Sequence, residues 1–491
     1  MARTKPLASQ LSFDTSEISG SYLSFIGNSS SYSDGGAVLV GASPGYRGLK
    51  FGRGPLGQET SGGRYNISIG DNALASLDSG DYNVSLGPFA LANSTGEDSD
   101  SNIAIGLDAL RYSTTGKENI GIGVNAGEDI TTGIRNTIVG KDAMKESLIG
   151  NYNVCIGEAA GMTMGFPQGG APYDNASANS YGNTIVGQRA ARYAHSISNS
   201  TLVGQYAGYY MGMSNTNSTN NVAVGYAALT GKYFWDGSGD YPTGTDNVGV
   251  GAITLSRLTS GRFNTAVGSE AAENISTGSY NVAIGEMSLY WESAGFRNVA
   301  VGAESAYNNE GNDNVFVGCM AGRGAWYATG ATYIGAEAGD LNGTTGDYNI
   351  CIGYQAKPAS TAATQTITLG NANITTLRCN TQTISSLSDE RDKDNITDLS
   401  LGLDYINAVR PVEFDWNRRD GSMEGVHAAG FIAQELDQVE SDFDTQWLGT
   451  VYKDNPEKLE ASPGKLLPIM VKAIQELSQE VERLKGMING S

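Results

Sequence analysis

Two side chains able to do nucleophilic chemistry stand five positions apart, Ser388 and Lys393, in the stretch ISSLSDERDKDNI (384–396). A serine hydroxyl attacks a carbonyl only if a base takes its proton. A lysine serves as that base only when burial or nearby cations lower its pKa. In an isolated chain Lys393 is expected to be hydrated and protonated, so assembly that buries it would switch the pair on. The same residues also read as a solvated helix start, with Ser388 as N-cap and Arg391 and Lys393 in the first turns.

This stretch lies where two kinds of chain meet. Residues 388–491 carry 21 acidic and 11 basic side chains, a dense charge for a chain in which only 17% of residues are charged. Upstream the sequence is glycine-rich, with 66 glycines against 12 prolines in the whole chain. The net charge of −21 excludes nucleic acid and an anionic membrane surface as partners, since both demand clustered cations. Cys155, Cys319, Cys351 and Cys379 show no CxxC spacing and there are two histidines, His195 and His427, so no metal site and no cofactor are expected. No apolar run of signal-peptide length follows the basic start MARTKPLASQLSFDTSEISG, and no 18-residue apolar segment occurs to cross a bilayer.

A repeat organises the upstream regime. Asn (Ser, Ala or Thr in three copies), two mostly small or β-branched residues, Ile/Val/Leu and Gly recur seventeen times, from NISIG at Gly70 through NIGIG at Gly123 and NVGVG at Gly251 to TITLG at Gly370, and ten of the sixteen glycine-to-glycine intervals are 17 residues. Each copy reads as a short strand with one apolar face, followed by a glycine that permits a sharp bend or positive φ. Alanines three residues after many of these glycines (Ala109, Ala126, Ala143, Ala160, Ala190, Ala228, Ala271, Ala338) are small enough to tuck under a neighbouring coil. A unit this short cannot bury an apolar face alone, so the units must stack as a solenoid. The recurrent Asn is expected to stack in register and bond the backbone of the next coil.

Two long intervals interrupt the pattern, before Gly187 (TMGFPQGGAPYDNASANSYG) and before Gly251 (KYFWDGSGDYPTGTD). Insertions in a solenoid emerge as surface loops. Phe166, Tyr173, Tyr181, Tyr233, Phe234, Trp235 and Tyr241, mixed with Asp and Asn, suit a sugar-binding face, and Tyr173, Tyr233, Trp235 and Tyr241 are the candidate glycan contacts. The alternative is that these rings pack loops onto the rod or fill contacts between chains. Asp236, Asp240 and Asp246 are the nearby carboxylates that a polysaccharide-degrading pair would need, and no spacing singles them out. At the C-terminus, Met470, Ile474, Leu477, Val481, Leu484 and Ile488 alternate spacings of four and three, the seam of a coiled coil.

The repeats resemble the head coils of trimeric autotransporter adhesins over about residues 64–372, which implies a parallel β-roll shared by three chains. A more specific resemblance follows from LSDERDKDNI, LDYINAVRPVEFDW, GFIAQEL and the terminal heptads, in that order. They look like the C-terminal intramolecular chaperone domain of phage endosialidases and tail fibres. That resemblance implies a domain that trimerises, helps the rod fold and then cuts itself off, with Ser388 as nucleophile, Lys393 as base, and Asp389 and Arg391 supporting. Attack on the adjacent carbonyl puts the scissile bond between Leu387 and Ser388, with cleavage on the other side of Ser388 as the alternative.

The expectation is therefore a mainly β chain: a trimeric parallel β-roll or β-solenoid of ~17-residue coils, then a small α+β chaperone domain ending in a trimeric coiled coil. Residues 1–60 would attach to tail or baseplate proteins of a virion. Residues 61–372 would bind a host surface glycan or protein, 373–387 would be a stalk or last strand, and 388–491 the chaperone. The protein would be a homotrimeric tail fibre made in the host cytoplasm and carried on the virion, without membrane insertion, and its chemistry a single-turnover self-cleavage. A depolymerising tailspike and a bacterial trimeric adhesin are the other readings.

Overall fold

The computed structural model describes residues 22–26, 37–43, 46–52, 63–96, 99–165, 180–213, 218–231, 241–343, 346–374, 376–380, 386, 388–419 and 423–489. The chain divides into two compact units, residues 1–319 and 320–491. Its architecture is a parallel β-solenoid of about 16 turns with ~17-residue coils, followed by a small α+β region that ends in a long helix.

In the first unit the coil strands are mostly three residues long and stack in parallel register, as in Ile103–Ile105, Ile120–Ile122 and Thr137–Val139, where Ile103 lies over Ile120 and Ile120 over Thr137. Backbone bonds run from coil to coil, Ile103 N–H to Asn119 O at 2.8 Å and Gly123 N–H to Ile105 O at 2.8 Å. Ahead of the first coil, Tyr22–Ile26 and Ala37–Ser43 pair antiparallel, as do Ala37–Ser43 and Tyr46–Gly52. The last of these runs parallel to Asn66–Ile69.

The recurrent asparagine is the spine of the stack. Asn119 is fully buried; its Nδ2 donates to Gly133 O at 2.8 Å and to Asn102 Oδ1 at 3.2 Å, while its N–H donates to Asn102 Oδ1 at 3.1 Å. Asn136, Asn153 and Asn264 repeat all three bonds. One amide thus satisfies groups in both neighbouring coils, which a closed interior requires because an unmade buried bond costs roughly 1–3 kcal/mol. Ser200 replaces Asn in one coil, where its Oγ accepts only the Asn221 N–H, at 3.2 Å; a short parallel pair, Ile197–Ser198 with Ser218–Thr219, stands beside it.

The corners are made by left-handed residues that are not glycine. In the coil after Gly106 these are Asp108, Leu110 and Glu118, at φ 56°, 50° and 56°. That conformation disfavours L-residues by roughly 1–2 kcal/mol each. Each of the three donates its N–H to the preceding or following coil, to Pro88 O, Ala126 O and Asp100 O at 3.1, 3.0 and 2.9 Å, so stacking holds the corners in place.

The strand faces the opposite way from the sequence expectation. In NIAIG-type copies the middle residue points inward, Ala104, Ile138, Cys155, Ile185, Leu202 and Ala266 being fully buried, and the flanking Val and Ile look outward, Ile284 at 40% exposed. The interior is filled instead by the tucked alanines and by Leu91, Leu110, Ile130, Met144 and Leu258, all at 0%. A coil this narrow leaves room for one inward strand residue, so the β-branched pair takes the outer face.

Among the described residues of the coils, one fully buried position carries an acid. Glu292, at 0% exposed, occupies the place held by Ile275 in the preceding coil and by Ser113 and Ser147 earlier. Its carboxyl takes the Gly295 N–H and, at 3.2 Å, the Asn298 Nδ2. Burial pushes the carboxyl up to about 8, with the Gly295 N–H opposing and Glu310 adding to the rise. Folding therefore retains a proton that the unfolded chain gives up above its ordinary value of 4.5. Stability from this group is complete below pH 4.5 and is lost as pH rises through about 8, at about 1.4 kcal/mol per unit. We expect Glu292→Gln to unfold like wild type at pH 4.5 and at a higher temperature than wild type at pH 9, read from thermal midpoints at both.

The second unit holds strands Thr332–Ile334, Ile350–Ile352 and Ile367–Leu369, again parallel and in register. Beyond them lie α1 (Leu403–Ala408), an antiparallel pair Val412–Asp415 and His427–Gly430, α2 (Ala433–Asp442), the short pair Val451–Tyr452 with Glu460–Ala461, and α3 (Leu467–Asn489). Their core gathers Tyr405 of α1, Leu436 and Val439 of α2, Val451, Leu466 and Ile469. Glu476 of α3 accepts the Leu403 N–H at 2.8 Å, capping α1. The buried Glu440 takes the Thr450 N–H at 2.6 Å and its hydroxyl at 2.7 Å, tying α2 to the strand that follows. No helix among the described residues is long and apolar enough to cross a membrane.

Candidate functional site

The sequence SDERDKDN is too short and too charged to bury, and it folds locally. Glu390–Asp392 form one 3₁₀ turn whose N-cap is Asp389, with its Oδ1 accepting the Arg391 N–H at 3.0 Å. The cap is thus Asp389, one place after the serine. The Arg391 guanidinium then closes on the same carboxylate, Nε to Oδ1 at 3.0 Å and Nη2 to Oδ2 at 2.6 Å. That fork holds the Asp389 carboxyl below its ordinary range and raises Arg391. The turn ends where the Lys393 N–H returns to Glu390 O at 3.1 Å.

A single turn between them brings the two reactive side chains together. Lys393 Nζ lies 2.6 Å from Ser388 Oγ and 3.2 Å from the Ser388 carbonyl oxygen. An ammonium donates in this pair; a neutral amine in the same place would accept the hydroxyl proton, which is the general-base geometry. Both side chains are exposed in the single chain. The segment is anchored at its far end by Leu399 and Leu401, which pack on the core around Tyr405. Leu387, on the other side of the expected scissile bond, lies outside the described residues.

The other candidates divide. Tyr173, Tyr233 and Trp235, with Phe166, Phe234, Asp236 and Asp240, lie outside the described residues. Tyr241 is half-buried, with its ring 6.3 Å from that of Tyr210. Tyr181 is 47% exposed. Asp246 is engaged as an acceptor from Asn220 Nδ2 at 2.9 Å, one bond of the stack. On α3 the seam lies open: Met470, Ile474, Leu477, Val481, Leu484 and Ile488 are between 45% and 73% exposed, while Ile469 and Ala473 on the other side are buried. What sequence reasoning missed is the capping of α1 by Glu476, since no short-range signal links residues seventy positions apart, and a group of tyrosines on successive coils, for which the common phase within the repeat was the available signal.

Residues 388–445 match the protein family described as chaperone of endosialidase. This match begins at Ser388, spans α1 and the antiparallel pair and runs through α2. Together with the β-solenoid, it fits a phage tail fibre or endosialidase-type protein with a C-terminal chaperone. No curated protein and no solved structure matches the chain.

Proposed function

We propose that this chain is the subunit of a homotrimeric phage tail fibre that attaches a virion to the host surface, and that its C-terminal domain assembles the trimer and then releases itself by cleavage before Ser388. The observation that carries the reading is the Ser388 Oγ to Lys393 Nζ distance of 2.6 Å at the first residue of the chaperone segment.

The chemistry balances with two groups and water. Neutral Lys393 takes the Ser388 hydroxyl proton as Oγ attacks the Leu387 carbonyl carbon. The tetrahedral intermediate collapses by breaking the bond to the Ser388 nitrogen, which receives that proton from Lys393. An ester now joins Leu387 to Ser388 Oγ, and water hydrolyses it to leave a Leu387 carboxylate and a free Ser388 amine. In the single chain Lys393 is exposed, whereas a lysine acts as base only in a buried or cation-flanked place. Neighbouring subunits would dehydrate it, which makes cleavage follow assembly.

Trimerisation is supported by surfaces that a single chain leaves in water. The open α3 seam has the heptad spacing that packs knobs into holes, and the outward Val and Ile side chains form an apolar stripe along the coils. Register also needs a nucleus, because a repeat of near-identical coils can slip by one unit at little local cost. The experiment is a seam substitution, Ile474→Asp with Leu477→Asp. These side chains are 63% and 47% exposed, so the domain core keeps its packing. Sedimentation should show trimeric wild type and a smaller variant, and the variant should stay uncleaved; a trimeric, fully cleaved variant would sink the reading.

A further inference from the structure

Stacking brings a tyrosine surface together in a part of the chain that carries no acid. Between Asp174 and Asp236 there is no Asp or Glu, although the chain has a net charge of −21, and this interval holds Arg189, Arg192 and Lys232. On the three coils it builds, Tyr193 stacks on Tyr210 with centroids 5.7 Å apart and meets Tyr209 edge-on at 5.2 Å. Tyr206 reaches Tyr209 at 5.3 Å and Tyr226 of the next coil at 5.9 Å. Tyr241 continues the row from Tyr210. The rings are half-buried except Tyr226, which is 51% exposed.

Two of these cations, Arg189 and Arg192, are built into this surface. Arg189 Nη1 donates to the Tyr206 hydroxyl at 3.2 Å, and the Arg192 guanidinium carbon lies 5.1 Å from the centre of the Tyr193 ring. Each Nε is buried with no hydrogen-bond partner among the described residues. Those Nε edges are closed to a ligand and Glu158 acts on Arg189, so it is the outer guanidinium nitrogens that can meet an anion.

We infer that this face binds a carboxylate-bearing polysaccharide, with pyranose rings lying on the tyrosines and uronate carboxylates pairing with Arg189 and Arg192. Many ring faces and few cations suit a ligand dominated by stacking, with one charge per sugar; a nucleic acid, with a phosphate at every step, needs far more cations. The interval itself contributes no acid to this face, and the carboxylates beside it, Glu158 and Asp246, are engaged by Gln188 Nε2 at 2.8 Å and Asn220 Nδ2 at 2.9 Å, which limits the repulsion a polyanion meets there. The inference rests on the host-attachment reading and names the surface and ligand class for it.

The test uses the intact protein and two forms of one polymer, polygalacturonate and its methyl ester, measured by affinity electrophoresis. Wild type should bind polygalacturonate at least tenfold more tightly than the ester. Tyr226→Ala should weaken binding to both at least tenfold with the trimer intact. Arg189→Gln combined with Arg192→Gln should remove the preference for the acid form. No binding of either polymer, or variants that bind as wild type does, overturns the inference; so does a Tyr226→Ala protein that changes its oligomeric state and keeps its affinity, since the rings would then be a subunit contact. Adsorption to a panel of bacterial strains separates the two readings. Equal adsorption of wild type and Tyr226→Ala overturns this surface and leaves attachment standing, whereas wild type that binds polygalacturonate and no strain sinks attachment alone.

Discussion

Purified wild-type protein should yield two chains by intact-mass measurement, residues 1–387 and the 104-residue fragment 388–491, whereas Ser388→Ala should run as one chain of 51.4 kDa. Removing Oγ removes the nucleophile and leaves the fold alone, because Ser388 is exposed and Asp389 caps the turn. Lys393→Ala should also remain whole and trimeric, since the serine then lacks its base. Removing one member of such a pair lowers rates by a factor on the order of 10³ or more, so no cleaved product should appear on the timescale of purification. Arg391→Ala tests a subtler role: it removes the fork on Asp389 that braces the turn between Ser388 and Lys393, and cleavage should slow without stopping. Wild type that forms trimers and keeps its full mass would end the self-cleavage proposal. A lost fragment of 103 residues would move the cut to the far side of Ser388.

Gly123→Ala should destabilise the solenoid by about 3 kcal/mol or more. Two effects act together. The residue has φ +134°, a region that disfavours L-residues by roughly 1–3 kcal/mol. A Cβ there would also lie 2.6 Å from Gly140 O and 2.7 Å from its carbonyl carbon, which is backbone and cannot rotate away. The coils would have to part, weakening the Gly140 N–H bond to Ile122 O at 2.8 Å. Gly464→Ala is the control, since nothing lies within 4 Å of its added Cβ, and it should leave the thermal midpoint unchanged. Equal midpoints for both variants would show that the close glycine stack is not a determinant of stability.

The coil was legible in the sequence because its length, its Asn and its Gly each answer one physical demand: a strand, a shared amide and a close approach. The outward turn of Ile and Val was not, because a three-residue strand reads the same with either face inward; only the width of the closed coil decides it. The Ser388–Lys393 pair was legible from spacing and motif, and the turn that joins them follows from Asp389, a good N-cap. Glu292 and the tyrosine surface were hidden for one reason. Both depend on which residues of different coils share a phase, and the unequal intervals of 16, 18, 19, 21, 26 and 30 residues blur that phase until the strands are aligned in space.

The asparagine spine also bears on how the protein ages. An asparagine loses its amide when the backbone nitrogen of the next residue attacks the side-chain carbonyl and closes a five-membered ring. Along the stack that next residue is β-branched, as in Ile67, Val84, Ile103, Ile120, Thr137 and Val154, which crowds the approach. The attacking nitrogen is already engaged as well, Val84 N–H donating to Asn102 O and Ile120 N–H to Asn136 O, both at 2.8 Å. Deamidation would set a negative charge inside a closed interior, and the positions where it would do most harm are the ones where the reaction is most hindered. By contrast, exposed Asn342 precedes Gly343 outside the spine, where no side chain crowds the approach, and it should deamidate sooner than any asparagine of the spine.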